Sequence, residues 1–290
     1  MSLSRSRDDI QPGLVLFELA AGAAQPGGWL DGETLSDMKR LVDGGGLAAI
    51  DPVAVWPFLA RGLMGEKPSR MFVALRDCGV LASMLPEIEA LFGQFQSADV
   101  SDQVDIGVHQ WRVLDKTAAF HAALPVRFAA LVFNLGKADS PPQHLPAHYR
   151  HVDRCLPRIE AICARFELSP ELRELALLVA MELERVHRAA PMRAASITAL
   201  LERVDAFARP GRYLDLLTVC ACDYAAYQGN EDKAYPKARL LELAREACLK
   251  LDREMDGDEA ADDPARRHEL RALAVANALR SQRWAEEGVV

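Results

Sequence analysis

Apolar residues recur every three or four positions along almost the whole chain, and no alternating apolar–polar run persists. That period belongs to the α-helix, whose turn of about 3.6 residues brings such positions onto one face. Leu35, Met38, Leu41 and Val42 form one such stripe. Prolines stand where a first helical turn tolerates them, at Asp51-Pro52, Pro68, Ser169-Pro170 and Tyr235-Pro236. Helices are therefore predicted over 34–42, from Pro52 through VAVWPFLARGLM with Pro57 as an early-turn feature or kink, and over RMFVALRDCGV, which Gly79 stops. More are predicted over 105–123, 127–134, 148–167, 169–187, 195–207, 213–226, 235–255 and 265–287, the last with a stripe of Leu270, Leu273, Ala276 and Leu279. Polar QFQSADVSDQ, Pro-rich ADSPPQHLPAH and Gly44-Gly45-Gly46 read as loops, and acidic MDGDEAADDP as a solvated linker. The predicted fold class is all-α.

Half of the 290 residues are hydrophobic, enough to bury a sizeable core. No apolar run reaches the roughly 18 residues of a membrane span. MSLSRSRDDIQPG lacks the apolar stretch of a secretory signal. A cytoplasmic protein without membrane contact is expected. The formal net charge of −8 favours solubility and argues against a basic surface for nucleic acid. Cysteines 78, 155, 163, 220, 222 and 248 show no zinc spacing, and Cys220-x-Cys222 reads as two buried small hydrophobes. No G-x-x-x-x-G-K-[ST] or G-x-G-x-x-G occurs. His121, His144, His187 and His268 read as surface or satisfied helix histidines.

Three stretches carry a family pattern when taken together. The first is KPSRMFVALRDCGVLASMLPEIEALFG at 67–93. The second is DIGVHQWRVL followed by RFAALVFNLGKADSPP and LPAHYRH. The third is CDYAAYQGNEDKAYPKARLLELA from Cys222. In this order they resemble the neck and C-terminal region of bacterial tRNA CCA-adding nucleotidyltransferases, the type with an appended HD domain. The likeness runs from about residue 8 to 285. It implies a helical neck-like domain over 8–95, a degenerate HD-like helical domain over 96–255, and an acidic linker with a C-terminal helix over 256–290.

What departs from that pattern sets the functional expectation. The family's catalytic head carries a Gly-Ser signature and paired aspartates that hold two metal ions for nucleotidyl transfer. No Gly-Ser followed by Asp-x-Asp occurs in this chain, so the head is expected to be missing. The family's base-templating Glu-Asp-x-x-Arg falls on Asp8, Asp9 and, in place of arginine, Pro12, which offers no side-chain donor. Nearby arginine positions fall on Val15 and Glu18. The elements of an HD metal site fall on His109, Phe133, Asn134, His148, His151 and Asp223, and the upstream His-Pro-Glu on Ser101-Asp102-Gln103. Phe133 cannot ligate a metal, and Asn134 lacks the charge that pins a hard cation. No metal or other cofactor is expected. A divalent ion held by His109, His148, His151 and Asp223 is the alternative. Gly136-Lys137 reads as a helix C-cap with a last-turn cation.

Basic residues cluster at Arg70 and Arg76, at Arg203, Arg209 and Arg212 around a Pro-Gly turn, and at Arg266, Arg267, Arg271, Arg280 and Arg283. They are interspersed with acids and read as solvated faces; no RNA-binding residue is assigned. The family's Arg-x-Arg after the aspartate is replaced by Ala225 and Tyr227, which removes two phosphate-seeking charges. The expectation is a non-catalytic interaction module with tRNA or another RNA as the inherited ligand. Surface left by a missing head would be covered by a second copy or a protein partner. Two further readings are a metal-dependent phosphohydrolase with a rearranged HD site, and a subunit completed by a nucleotidyltransferase head on a separate chain.

Overall fold

The computed structural model describes residues 13–97, 103–190, 192–255 and 263–287, with the backbone alone over 282–287. Asp8, Asp9, Pro12, Ser101 and Asp102 lie outside the described residues. The chain is predominantly helical. Helices α1 (Leu14–Ala23), α2 (Gly32–Asp43), α3 (Pro52–Leu63), α4 (Pro68–Asp77), α5 (Val80–Met84) and α6 (Pro86–Glu89) come first. A hairpin of β1 (Phe95–Ser97) and β2 (Gln103–Asp105) follows. Then come α7 (Ile106–Ala119), α8 (Leu124–Val132), α9 (His151–Arg165), α10 (Pro170–His187), α11 (Ala194–Arg203), α12 (Pro210–Ala225), α13 (Pro236–Glu254) and α14 (Pro264–Glu287). Among the described residues, no helix is long and apolar enough to cross a membrane.

Local chemistry explains most boundaries. Asp31, Asp51 and Asp105 cap α2, α3 and α7 by accepting from the amides of Thr34, Val53 and Val108. Gly79 ends α4 with a left-handed φ of 86°. Pro57 is carried inside α3, and Gly44 caps α2. Periodicity does not signal α1, because LVLFELAAGA is apolar all round rather than striped. It is sandwiched between α3 and α4, with Leu16, Phe17, Ala20 and Ala21 buried.

Four expectations need correction. QFQSADVSDQ is not all loop, since β1 and β2 pair antiparallel with Gln96 opposite Val104. Three-residue strands are too short to display alternation, and the inward side chain of β1 is the polar Gln96, 6% exposed. Leu135–Lys137 is a 3-10 turn rather than a capped helix end. Gly136 is required there because a Cβ would stand 1.9 Å from the carbonyl oxygen of His151. The Pro-Gly at 210–211 opens α12 rather than forming a separate turn. On α14 the buried positions are Arg271 and Val275, while Leu273 is exposed.

One continuous apolar cluster runs from Leu16 to Val275. Its centre is α8, packed against α10, α7 and α12, and every residue from Val126 to Gly136 is buried. Arg127 joins the first helices to this bundle. Its buried guanidinium donates to the carbonyls of Leu63 (2.7 Å), Gly65 (2.8 Å) and Ala122 (2.8 Å), satisfying groups that the end of α3 leaves open. Ser69 and Asp115 tie α4 to α7 through an amide bond of 3.1 Å and a hydroxyl bond of 2.8 Å. At the far end Arg271 reaches Asp252 with two bonds (3.0 and 2.7 Å) and Glu202 with one (3.1 Å), docking α14 on α13 and α11. All six cysteines are free and buried, and burial pushes the thiols up, that of Cys155 to about 11 and that of Cys222 to about 12.

Candidate functional site

Helix α7 turns His109 and Gln110 into the bundle, α8 delivers Phe133 and Asn134 at its end, and α12 contributes Asp223. All of these are buried. His109 Nε2 lies 2.8 Å from Asp223 Oδ1. The other carboxylate oxygen is taken by His187 Nε2 at 3.0 Å, and His187 Nδ1 lies 2.8 Å from the Tyr235 hydroxyl. An ionised Asp223 accepts from both Nε2–H groups. Burial works to raise the Asp223 pKa, but hydrogen bonds and attraction from His109 and His187 overturn it and hold the carboxyl below the ordinary range. The sequence predicts a surface or satisfied helix histidine at His187. It is a member of this cluster, and no local motif signals it, because the partner lies 36 residues away.

The remaining candidates stand apart from that cluster. His148 Nε2 is 2.8 Å from the Phe95 carbonyl oxygen, and Nδ1 is 2.8 Å from Ser140 Oγ. A carbonyl only accepts, so Nε2 carries the proton and Nδ1 accepts from the serine hydroxyl. Burial lowers the His148 pKa, which keeps that ring neutral. His151 Nδ1 donates to the His148 carbonyl at 3.2 Å, and its Nε2 lies 3.4 Å from Glu184. Burial, with the nearby charge of Lys137, brings the His151 pKa down to about 4.

Three further side chains close the cleft. Lys137 Nζ donates to Gln96 Oε1 at 2.8 Å, and Gln96 Nε2 donates to the Tyr227 hydroxyl at 2.9 Å. The Tyr227 ring sits 4.3 Å, centroid to centroid, from the His109 ring. Burial lowers the Lys137 pKa, against the attraction of Glu184 and Asp223. Lys137 is thus turned into the cleft, not out to water as a last-turn cation. Strand β1 roofs the site, with Gln96 bridging α12 to the 3-10 turn and the Phe95 carbonyl fixing His148.

Asn134 Nδ2 donates to Gln110 Oε1 at 3.0 Å, and Gln110 in turn donates to the Ala130 carbonyl. Phe133 is 4% exposed. Its carbonyl oxygen accepts from Cys155 Sγ at 3.3 Å.

These donors do not fit a divalent ion. Among the described residues no group of three or more His, Cys, Asp or Glu converges to hold one. His109 and Asp223 face each other at hydrogen-bond distance, both Asp223 oxygens are occupied, and both His148 nitrogens are bonded elsewhere. Phe133 and Asn134 add an apolar ring and a neutral amide. His109 Nδ1 is buried with no hydrogen-bond partner among the described residues.

Fold and site together define an all-helical body with a buried His–Asp cluster beneath a hairpin roof. No protein-family model matches the chain. Over 254 residues it is 44% identical to the multifunctional CCA protein of Cupriavidus taiwanensis, covering 86% of this chain and 61% of that relative. It is 42% identical over 251 residues to the proteins of the same name from Cupriavidus metallidurans and Burkholderia multivorans, again covering 85% of this chain and 61% of each relative. The chain therefore belongs with the CCA-adding proteins by relationship. It spans about 61% of the length of these curated relatives.

Proposed function

We propose that the region from the neck-like helices to α14 is a non-catalytic body that binds RNA, with tRNA as its ligand. The observation that carries this reading is the content of the HD-like cleft. Phe133 and Asn134 stand where the family resemblance puts a His-Asp pair, Asn134 is bonded to Gln110, and Asp223 is bonded to His109 and His187. Hydrolysis at an HD site needs a metal to activate water, and an apolar ring and a neutral amide at these two positions supply no charged ligand for one. Nucleotidyl transfer is assigned to none of the described residues, because two-metal chemistry needs paired carboxylates. The named relatives are multifunctional CCA proteins, and tRNA comes to this chain from that relationship.

Two measurements test the reading on protein made without a histidine tag. Elemental analysis and a phosphodiesterase assay are expected to show no bound metal and no activity. Close to one equivalent of metal, with activity lost in His109→Ala, would establish a rearranged hydrolase instead. Titration with tRNA is expected to show binding that weakens steeply with salt, as phosphate contacts require. Absence of binding at low salt overturns the RNA reading.

A further inference from the structure

We propose that the groove between α7 and the end of α12 is an anion site that seats a backbone phosphate of the RNA. The inference rests on the RNA-binding reading and gives it a location. His109, Arg112 and Lys116 fall three and seven positions apart on one face of α7, so the stripe that starts at the closed cleft continues outward as two cations. The groove they meet has a volume of about 490 Å³ and is lined by Arg112, Lys116, Ala225, Ala226, Gln228 and Glu231.

Arg112 is exposed and has no ion pair or hydrogen bond among the described residues. By contrast, Arg61, Arg76, Arg165, Arg173 and Arg271 each face a carboxylate. Lys116 Nζ uses one donor on the Glu231 carbonyl at 3.0 Å, which leaves the rest of its ammonium free to bond an anion. Gln228, also exposed, adds an amide donor at the rim.

Glu231 is the one acid in the lining. Its Oε2 accepts from the Gly229 amide at 2.8 Å, so the carboxylate is engaged with its own loop. Ala225 and Ala226 are small and buried, and they leave the space above them open. A planar guanidinium with an ammonium one turn on suits the oxygens of a phosphodiester, which accept from both.

The test is tRNA binding by fluorescence anisotropy between about 50 and 200 mM salt, where the logarithmic slope counts phosphate contacts at roughly 0.9 each. Arg112→Ala/Lys116→Ala is expected to lower affinity at least tenfold at the lower salt and to make the slope shallower by about one unit. The thermal midpoint should be unchanged, since both side chains are outside the core. Arg112→Lys/Lys116→Arg keeps the charges and is expected to keep the slope. Glu231→Gln should tighten binding about two- to threefold by removing the one nearby negative charge. A double alanine variant with the wild-type slope overturns this site while leaving the RNA reading in place. A wild-type protein that binds no tRNA at low salt overturns both.

Discussion

Helix α7 serves two neighbouring regions that treat charge in opposite ways. Around His109 most polar groups are spent on other protein groups, Asp223 on two histidines, His148 on a carbonyl and a serine, Lys137 on Gln96, while His109 Nδ1 is buried without a partner among the described residues. One turn further along, Arg112 has no partner among the described residues and its groove is open. A buried ion left without a partner is costly, so a closed cleft persists only if its groups satisfy one another. A solvated cation carries no such obligation and is free for a ligand. The same helix therefore anchors the interior with one set of residues and presents a contact surface with another.

Removing the centre of the closed region is the strongest way to break this contrast. Asp223→Ala strands His109 and His187 in the bundle without their shared acceptor. A loss of about 3–5 kcal/mol in unfolding free energy is expected from urea titration. A loss below about 1 kcal/mol would mean that the cluster is wet and the cleft open. Asp223 also sets an acid limit. Its folded pKa is below the ordinary value, so its stabilisation is complete above the ordinary carboxylate range and is lost as pH falls through the folded pKa.

His151 gives the next largest effect, with the opposite proton logic. Burial, the Lys137 charge and the neighbouring His148 disfavour its imidazolium, while Glu184 favours it, and the folded pKa stands at about 4 against an ordinary 6.5. The unfolded chain therefore takes up the proton first as pH falls. Stability from this group is complete above about pH 6.5 and declines toward pH 4. Between pH 7.5 and 5 the decline should be about 2 kcal/mol, and His151→Gln should flatten that part of the curve. An unaltered curve in the variant would place the titrating group elsewhere.

The helical plan was legible because it rests on local rules. Aspartates before first turns, prolines at first positions and Gly79 at a left-handed stop all act within a few residues. The closed cleft was legible only in part. Phe133 and Asn134 stood out against a family pattern, and His109 and Asp223 were candidates from the same source. What held them was not visible, because the contacts are long-range and polar. Gln96 reaches Tyr227 across 131 residues and Lys137 across 41. A glutamine on a three-residue strand has no periodicity to announce it. Lys137 looked like a helix-end cation, and only the close approach of α9 over Gly136 shows why the turn points inward. Arg112 is illegible for a different reason: an exposed arginine on an amphipathic helix is ordinary until its lack of a partner among the described residues and the groove beside it are known.

The finest distinction between the two regions is between two long polar side chains, the buried Gln96 and the exposed Arg112. Their energetics should differ. Gln96 is 6% exposed and ends two hydrogen bonds, one from Lys137 and one to Tyr227. Gln96→Ala leaves a buried ammonium without its acceptor, so a loss of about 1–3 kcal/mol is expected in thermal or urea unfolding. The roof would loosen with it, and the amide protons of β1 and β2 should exchange faster in a hydrogen-exchange measurement. Arg112→Ala removes a solvated side chain and should change stability by no more than about 0.5 kcal/mol. Equal losses in the two variants would mean that the groove is part of the packed interior. A silent Arg112→Ala beside a damaging Gln96→Ala fixes the border between scaffold and contact surface at the turn of α7 between His109 and Arg112.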